Sequence, residues 1–143
     1  MRTQVLMATA VLVLCSAAGG CAQVKSQAAT QYQPVQVETV DPSSGLKRVA
    51  FTQESASRAD VQTAPVVRSG ALLAVPSAAV IYDNVGNTLV YVAIDPLTYQ
   101  RETVQVVNDD GRTVKLSRGP KVGTRVVTTG ANQVWGAELG VGH

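Results

Sequence analysis

From Gly45 onward a turn signal interrupts the chain about every eight to twelve residues, which leaves room for short strands and little for helices. The punctuation is chemically explicit. Ser69-Gly70, Asp83-Asn84-Val85-Gly86-Asn87, Asp95-Pro96, Asn108-Asp109-Asp110-Gly111 and Gly119-Pro120-Lys121-Val122-Gly123 mark its positions. They combine glycine's access to positive φ, proline's fixed φ, and Asx side chains that bond to nearby backbone N–H groups. Between them lie runs rich in β-branched residues at 47–51, 61–67, 71–75, 80–82, 88–94, 98–107, 112–116 and 125–129. In the run 112–116, Val114 and Leu116 fall on one face and Thr113 and Lys115 on the other. The run 88–94 is apolar on both faces, as expected of a strand buried between two layers or lining a small barrel. Asp110-Gly111 predicts a primed hairpin turn. Residues 52–59 form the one helical segment, with Thr52 as N-cap and Glu54 in the first turn, where it suits the helix dipole. The last segment, 131–143, holds Trp135 and three glycines (Gly136, Gly140, Gly142) and reads as an irregular cap. The expected class is all-β: a small β-barrel or sandwich with one short helix, following a signal peptide and a flexible linker, without internal repeats.

The N-terminus is an export signal. Arg2 makes a small positive n-region, residues 5–18 are almost unbroken apolar sequence, and Ala18-Gly19-Gly20 supplies small side chains before Cys21. The pattern resembles a bacterial lipobox, which implies lipidation of Cys21 as the first mature residue. The alternative is an ordinary secretory signal cut nearby, for instance after Ala22. The apolar stretch is shorter than the about 20 residues that a spanning helix needs. The expected partition is a lipoprotein signal peptide at 1–20, a lipidated cysteine and tether at 21–45, and a β-domain at 46–143. The tether is rich in Gln, Ala, Ser and Thr and holds Pro34 and Pro42, a composition that cannot bury enough surface to offset its ordering entropy. Within it Pro34-Val35-Gln36-Val37-Glu38-Thr39-Val40 alternates apolar and polar residues, the alternative being an added edge strand.

Charge and cysteine content narrow the partners. Of the 12 Lys and Arg only Arg2 leaves with the signal, so the mature chain carries 11 against 10 Asp and Glu. That balance gives no footprint for nucleic acid and no polybasic patch for anionic lipid. Cys15 leaves with the signal and Cys21 stands alone, so the mature domain is expected to fold without an internal disulfide.

Several segments together resemble a known family. Val75-Pro76-Ser77-Ala78-Ala79-Val80-Ile81, a turn with Gly86, and Val90-Tyr91-Val92 are similar to the opening of the late β-domain of bacterial membrane-fusion proteins, the periplasmic adaptor subunits of RND-type and related efflux systems. The similarity continues through 101–107, 119–123 and Val126-Val127-Thr128-Thr129-Gly130-Ala131. Upstream, Ala59-Asp60-Val61-Gln62-Thr63-Ala64-Pro65-Val66 resembles the strand that begins this half of those adaptors. Adaptors of full length carry a lipoyl-like domain and an α-helical hairpin between these two stretches. Here only residues 68–74 separate Val67 from Val75. The ending from Trp135 to His143 also differs from the family's. The resemblance therefore implies a free-standing membrane-proximal β-domain on a lipid tether, not a complete tunnel-forming adaptor.

A search for chemistry finds little to work with. A triad needs a histidine beside its nucleophile, and the single histidine, His143, stands at the last position, where a solvated end is the expectation. The mature chain offers no methionine, one histidine and one cysteine, against the three or four soft or nitrogen ligands of a transition-metal site. Asp109 and Asp110 are explained by turn chemistry, and Gly136, Gly140 and Gly142 lack the flanking pattern of a phosphate loop. No catalytic residue, metal or cofactor is expected. The expected role is a non-enzymatic, lipid-anchored envelope protein that docks on a permease or other envelope protein, at the outer face of the cell membrane or on the outer membrane of a diderm host. Asn84, on a turn, and Trp135, of a residue type enriched in hot spots, are the candidate partner contacts. For Trp135 the alternative is closure of one end of the barrel. The alternative function is a small-ligand-binding lipoprotein, although barrels of few strands are filled by their own side chains.

Overall fold

The computed structural model describes residues 33–141. The expected signal peptide at 1–20, Cys21 and His143 lie outside the described residues. Eleven strands and two α-helices follow in order: β1 (Val35–Asp41), β2 (Leu46–Phe51), α1 (Gln53–Arg58), β3 (Gln62–Pro65), β4 (Val67–Ser69), β5 (Leu72–Pro76), a 3-10 turn (Ser77–Ala79), β6 (Ile81–Tyr82), β7 (Thr88–Asp95), β8 (Thr98–Thr103), β9 (Gln105–Asp109), β10 (Thr113–Arg118), β11 (Arg125–Thr129) and α2 (Ala131–Leu139). The expected all-β character holds. The strands form two open antiparallel sheets, not a closed barrel. The larger runs β1-β2-β8-β7-β11-β3, with β6 also paired to β7, and the smaller runs β4-β5-β10-β9.

Two expected strands prove to be four. The runs 61–67 and 98–107 break at Val66 and Val104, and in each case the two halves join different sheets. Both valines are buried in the cluster between the sheets. Each is held at its corner by backbone bonds: Val66 N–H to Thr124 O (2.8 Å), Gly123 N–H to Val66 O (2.8 Å), and Val104 N–H to Thr88 O (2.9 Å). A strand that passes from one sheet of a sandwich to the other must bend, and an inward valine at the bend keeps the corner packed.

The central strands face two cores at once. Leu89 and Tyr91 of β7 and Val127 of β11 enter the cluster beneath the helices, with Val49, Phe51 and Val134. Val90 and Val126, their immediate neighbours, enter the cluster between the sheets, with Val75, Val114 and Leu116. The two-sided apolar pattern of 88–94 is thus that of a strand between layers.

Three expectations need correction. The segment 35–41, expected within a flexible tether with an edge strand as the alternative, is a strand: Val35–Asp41 pairs with β2 in register from Val35↔Phe51 to Thr39↔Lys47. Its alternation serves that pairing, since Val35 packs on the helix-side core while Gln36 and Glu38 face away from it. The C-terminal segment is not irregular. Residues 131–139 are helical, with Ala131, Val134 and Glu138 buried along one face and Gly140 closing the helix at φ +74°. This helix adds to the expected short helix, whose N-cap Thr52 accepts from Ser55 N–H at 3.2 Å. The 109–113 hairpin does not use Asp110-Gly111 as the central pair of a type I′ turn, because Gly111 has positive φ (+83°) and Asp110 does not. A backbone bond from Asp110 N–H to Thr113 O (3.3 Å) closes it, and side chains reinforce it: Asp109 accepts from Gly111 N–H (2.8 Å), and Asp110 from Thr113 and Arg112 N–H (2.7 and 2.9 Å). These bonds hold the Asp110 carboxyl below its ordinary pKa.

Candidate functional site

The Asp83–Asn87 turn is rigid for a reason visible in its first residue. The Asp83 carboxylate accepts from Val85 N–H (3.0 Å), Asn87 N–H (2.7 Å) and the Asn87 amide (2.8 Å). The Asn87 side chain contributes most to lowering the Asp83 pKa. The turn is thereby preorganised with Asn84 exposed at its tip, next to Val85 at 75 % exposure. Tyr82, at the turn's entry, is also exposed. A cleft of about 530 Å³ beside the turn is lined by Asp83, Asn87, Gln100, Arg101 and Glu102 over the apolar side chains of Leu46 and Val92. Partial burial raises the pKa of Glu102.

Trp135 sits elsewhere. It lies on α2, half-buried, and packs against the core beneath the helices. It covers one face of the larger sheet, where the alternative weighed for it was closure of one end of a barrel. Neither Trp135 nor Asn84 lines the cleft beside the turn, nor a second, more apolar groove of about 480 Å³ formed by Pro34, Val35, Phe51, Ala59, Ala137 and Val141.

The most highly organised polar cluster was not anticipated from sequence. Glu138, only 3 % exposed, is the buried charged residue of the described chain. Its Oε2 accepts from the Tyr91 hydroxyl at 2.5 Å, and its Oε1 lies 3.3 Å from the Arg101 guanidinium. Arg101 also donates to Gly45 O at 2.8 Å, and Lys47 Nζ donates to the Glu138 carbonyl at 3.2 Å. Tyr91 and Arg101 are direct cross-strand partners on β7 and β8, so they point to the same face. Lys47 joins them from β2, and together they receive the C-terminal turn of α2. Two cations at a helix C-terminus complement its dipole. Burial first, and the bond to Glu138 second, push the Tyr91 hydroxyl far above its ordinary pKa, so it remains a donor. Both carboxylate oxygens are committed, and the arrangement is a clasp for α2. A signal existed: 131, 134 and 138 share one helical face, which the two terminal glycines conceal when the segment is read as irregular.

Among the described residues, no three of His, Cys, Asp and Glu gather in a metal-holding group, and no helix is long and apolar enough to cross a membrane. No protein-family model, curated protein or solved structure matches this chain.

Proposed function

We propose that this chain is an exported, lipid-anchored, non-enzymatic interaction module of the cell envelope. It resembles the membrane-proximal β-domain of efflux adaptor subunits and docks on a transporter or another envelope protein through its exposed turns. The observation that carries the reading is where the resembling segments converge. Val66, Val75, Ala79, Val90 and Val126 come from four separate stretches of the resemblance, and all five belong to the core between the two sheets. Segments that are each ordinary in composition therefore act as one packing unit, as the resemblance requires. Anchoring rests on Ala18-Gly19-Gly20-Cys21. Docking rests on the preorganised Asp83–Asn87 turn, since rigid β scaffolds present contacts on loops.

A photoreactive residue at Asn84, in intact cells, is expected to trap an envelope protein such as a permease. In the same cells Cys21→Ser should lose fatty-acid labelling and move the protein to the soluble fraction. Recovery of monomer alone from Asn84, together with stoichiometric binding of a small hydrophobic ligand to the purified domain, would favour the ligand-binding alternative.

A further inference from the structure

Among the described residues four strands end the two sheet paths, besides the two-residue β6 on β7, and three of the four are blunted. β3 has four residues and ends in Pro65, β4 has three residues, and β9 pairs with β10 through two register shifts. Such shortening, proline and bulging are how proteins prevent edge-to-edge pairing. β1 is different. It is seven residues long, regular from Val35 to Thr39, and irregular only beyond Thr39. Among the described residues it lies at the end of the larger sheet, with β2 on one side only.

The phase of its free hydrogen-bonding groups can be read directly. Thr52 N–H bonds Pro34 O at 3.1 Å, so the Val35↔Phe51 pair it brackets is a non-hydrogen-bonded one. Phe51 N–H agrees, being given to Leu97 O on the opposite side at 2.9 Å. The backbone N–H and C=O groups of Val35, Val37 and Thr39 therefore point outward from the sheet.

We infer that β1 pairs with β1 of a second copy of this chain, antiparallel, about a two-fold axis through Val37. An antiparallel self-pair must oppose outward-pointing residues, which restricts the axis to Gln36, Val37, Glu38 or their like. An axis at Glu38 sets two carboxylates face to face and runs the pairing into the irregularity at Val40. An axis at Gln36 gives up Thr39's outward groups unless Gln33 is drawn in. The axis at Val37 uses the whole regular stretch: Val35 meets Thr39, Val37 meets Val37, and Gln36 meets Glu38 twice. The match is complementary on both faces. Val37, 43 % exposed in one copy, covers its counterpart. On the other face the Gln36 amide donates to a Glu38 carboxylate already flanked by Arg48 at 3.9 Å. About six backbone hydrogen bonds form across such a pair. This pairing does not depend on the envelope function proposed above.

The test uses the full chain with Cys15→Ser and Cys21→Ser, so that an introduced thiol is the only one. Sedimentation should show a reversible dimer. Hydrogen-bonded antiparallel partners lie about 5.5 Å apart at Cα, within disulfide reach. Val37→Cys is therefore expected to cross-link on oxidation, and Glu38→Cys and Thr39→Cys are not. Gln36→Glu should weaken the dimer, and Gln36→Lys tighten it, by on the order of three- to tenfold, because each contact occurs twice. Val37→Pro removes an outward N–H that β2 does not use, and should yield a folded monomer by circular dichroism. A monomer at every concentration would overturn the inference, as would preferred cross-linking at Glu38 or a dimer unaffected by Val37→Pro.

Discussion

The buried carboxylate of Glu138 decides more than any other single side chain in this domain. A buried ion pair is weak evidence of net stability, because desolvation offsets much of its Coulombic gain. Its value here is geometric, as it fixes where α2 ends over β7 and β8. Removing one partner is nevertheless costly, since an oxygen is left buried without a donor. Tyr91→Phe should lower the unfolding free energy by about 1.5–3 kcal/mol, the range for bonds to charged groups. Tyr99→Phe is the control: its hydroxyl bonds only the Pro96 carbonyl, at 3.2 Å, and its loss should cost nearer 0.5–1.5 kcal/mol by about the neutral-bond range. Urea titration of both variants checks the contrast, and equal costs would deny the clasp its role. Close packing decides Gly130 as well. A Cβ there would stand 2.8 Å from the Ala59 carbonyl, at a backbone φ of +77°. That glycine is required by contact as well as by conformation.

At the scale of elements, β1 and α2 are the hardest to read in sequence, for related reasons. Each lies at the margin of the fold and is stabilised by one face only. The Val35–Val37 alternation was visible, but a Gln- and Thr-rich stretch offers too little apolar surface to show whether it pairs. What settles the matter is β2, whose Val49 and Phe51 continue the same face into the core. Deleting residues 34–41 is therefore expected to lower the thermal midpoint by at least about 4 °C, the shift for roughly 1 kcal/mol in a domain of this size. A midpoint unchanged in differential scanning calorimetry would return these residues to the tether. The α1 segment, in contrast, was legible, because its cap is local: Thr52, Glu54 and Arg58 lie within about two turns and need no distant partner.

At the scale of the whole molecule, two cores share their central strands. β7 and β11 each send alternate residues to the helix side and to the space between the sheets. Strain in one cluster is therefore felt in the other, and the domain should unfold as one unit. Leu116→Ala, in the core between the sheets, is expected to cost about 2–5 kcal/mol. The loss should appear equally in the fluorescence of Trp135, on the far side of the larger sheet, and in the far-ultraviolet circular dichroism. Separate midpoints by the two probes would show that the layers unfold independently. The proposed pairing through β1 belongs to this scale too, since it would continue the larger sheet across two molecules.

Sequence alone determined the class of this domain, most strand positions, the α1 cap and the two-faced character of β7. Each of these depends on residues close together in the chain, where side-chain period, β-branching and turn chemistry act directly. Tertiary structure alone decided the sheet switches at Val66 and Val104, because the run of valines is the same whether a strand continues or turns a corner. It also decided the pairing of β1 and the meeting of Tyr91, Arg101 and Glu138. Those outcomes depend on partners tens of residues away, and a period-two or period-3.6 pattern carries no information about which partner lies across the core.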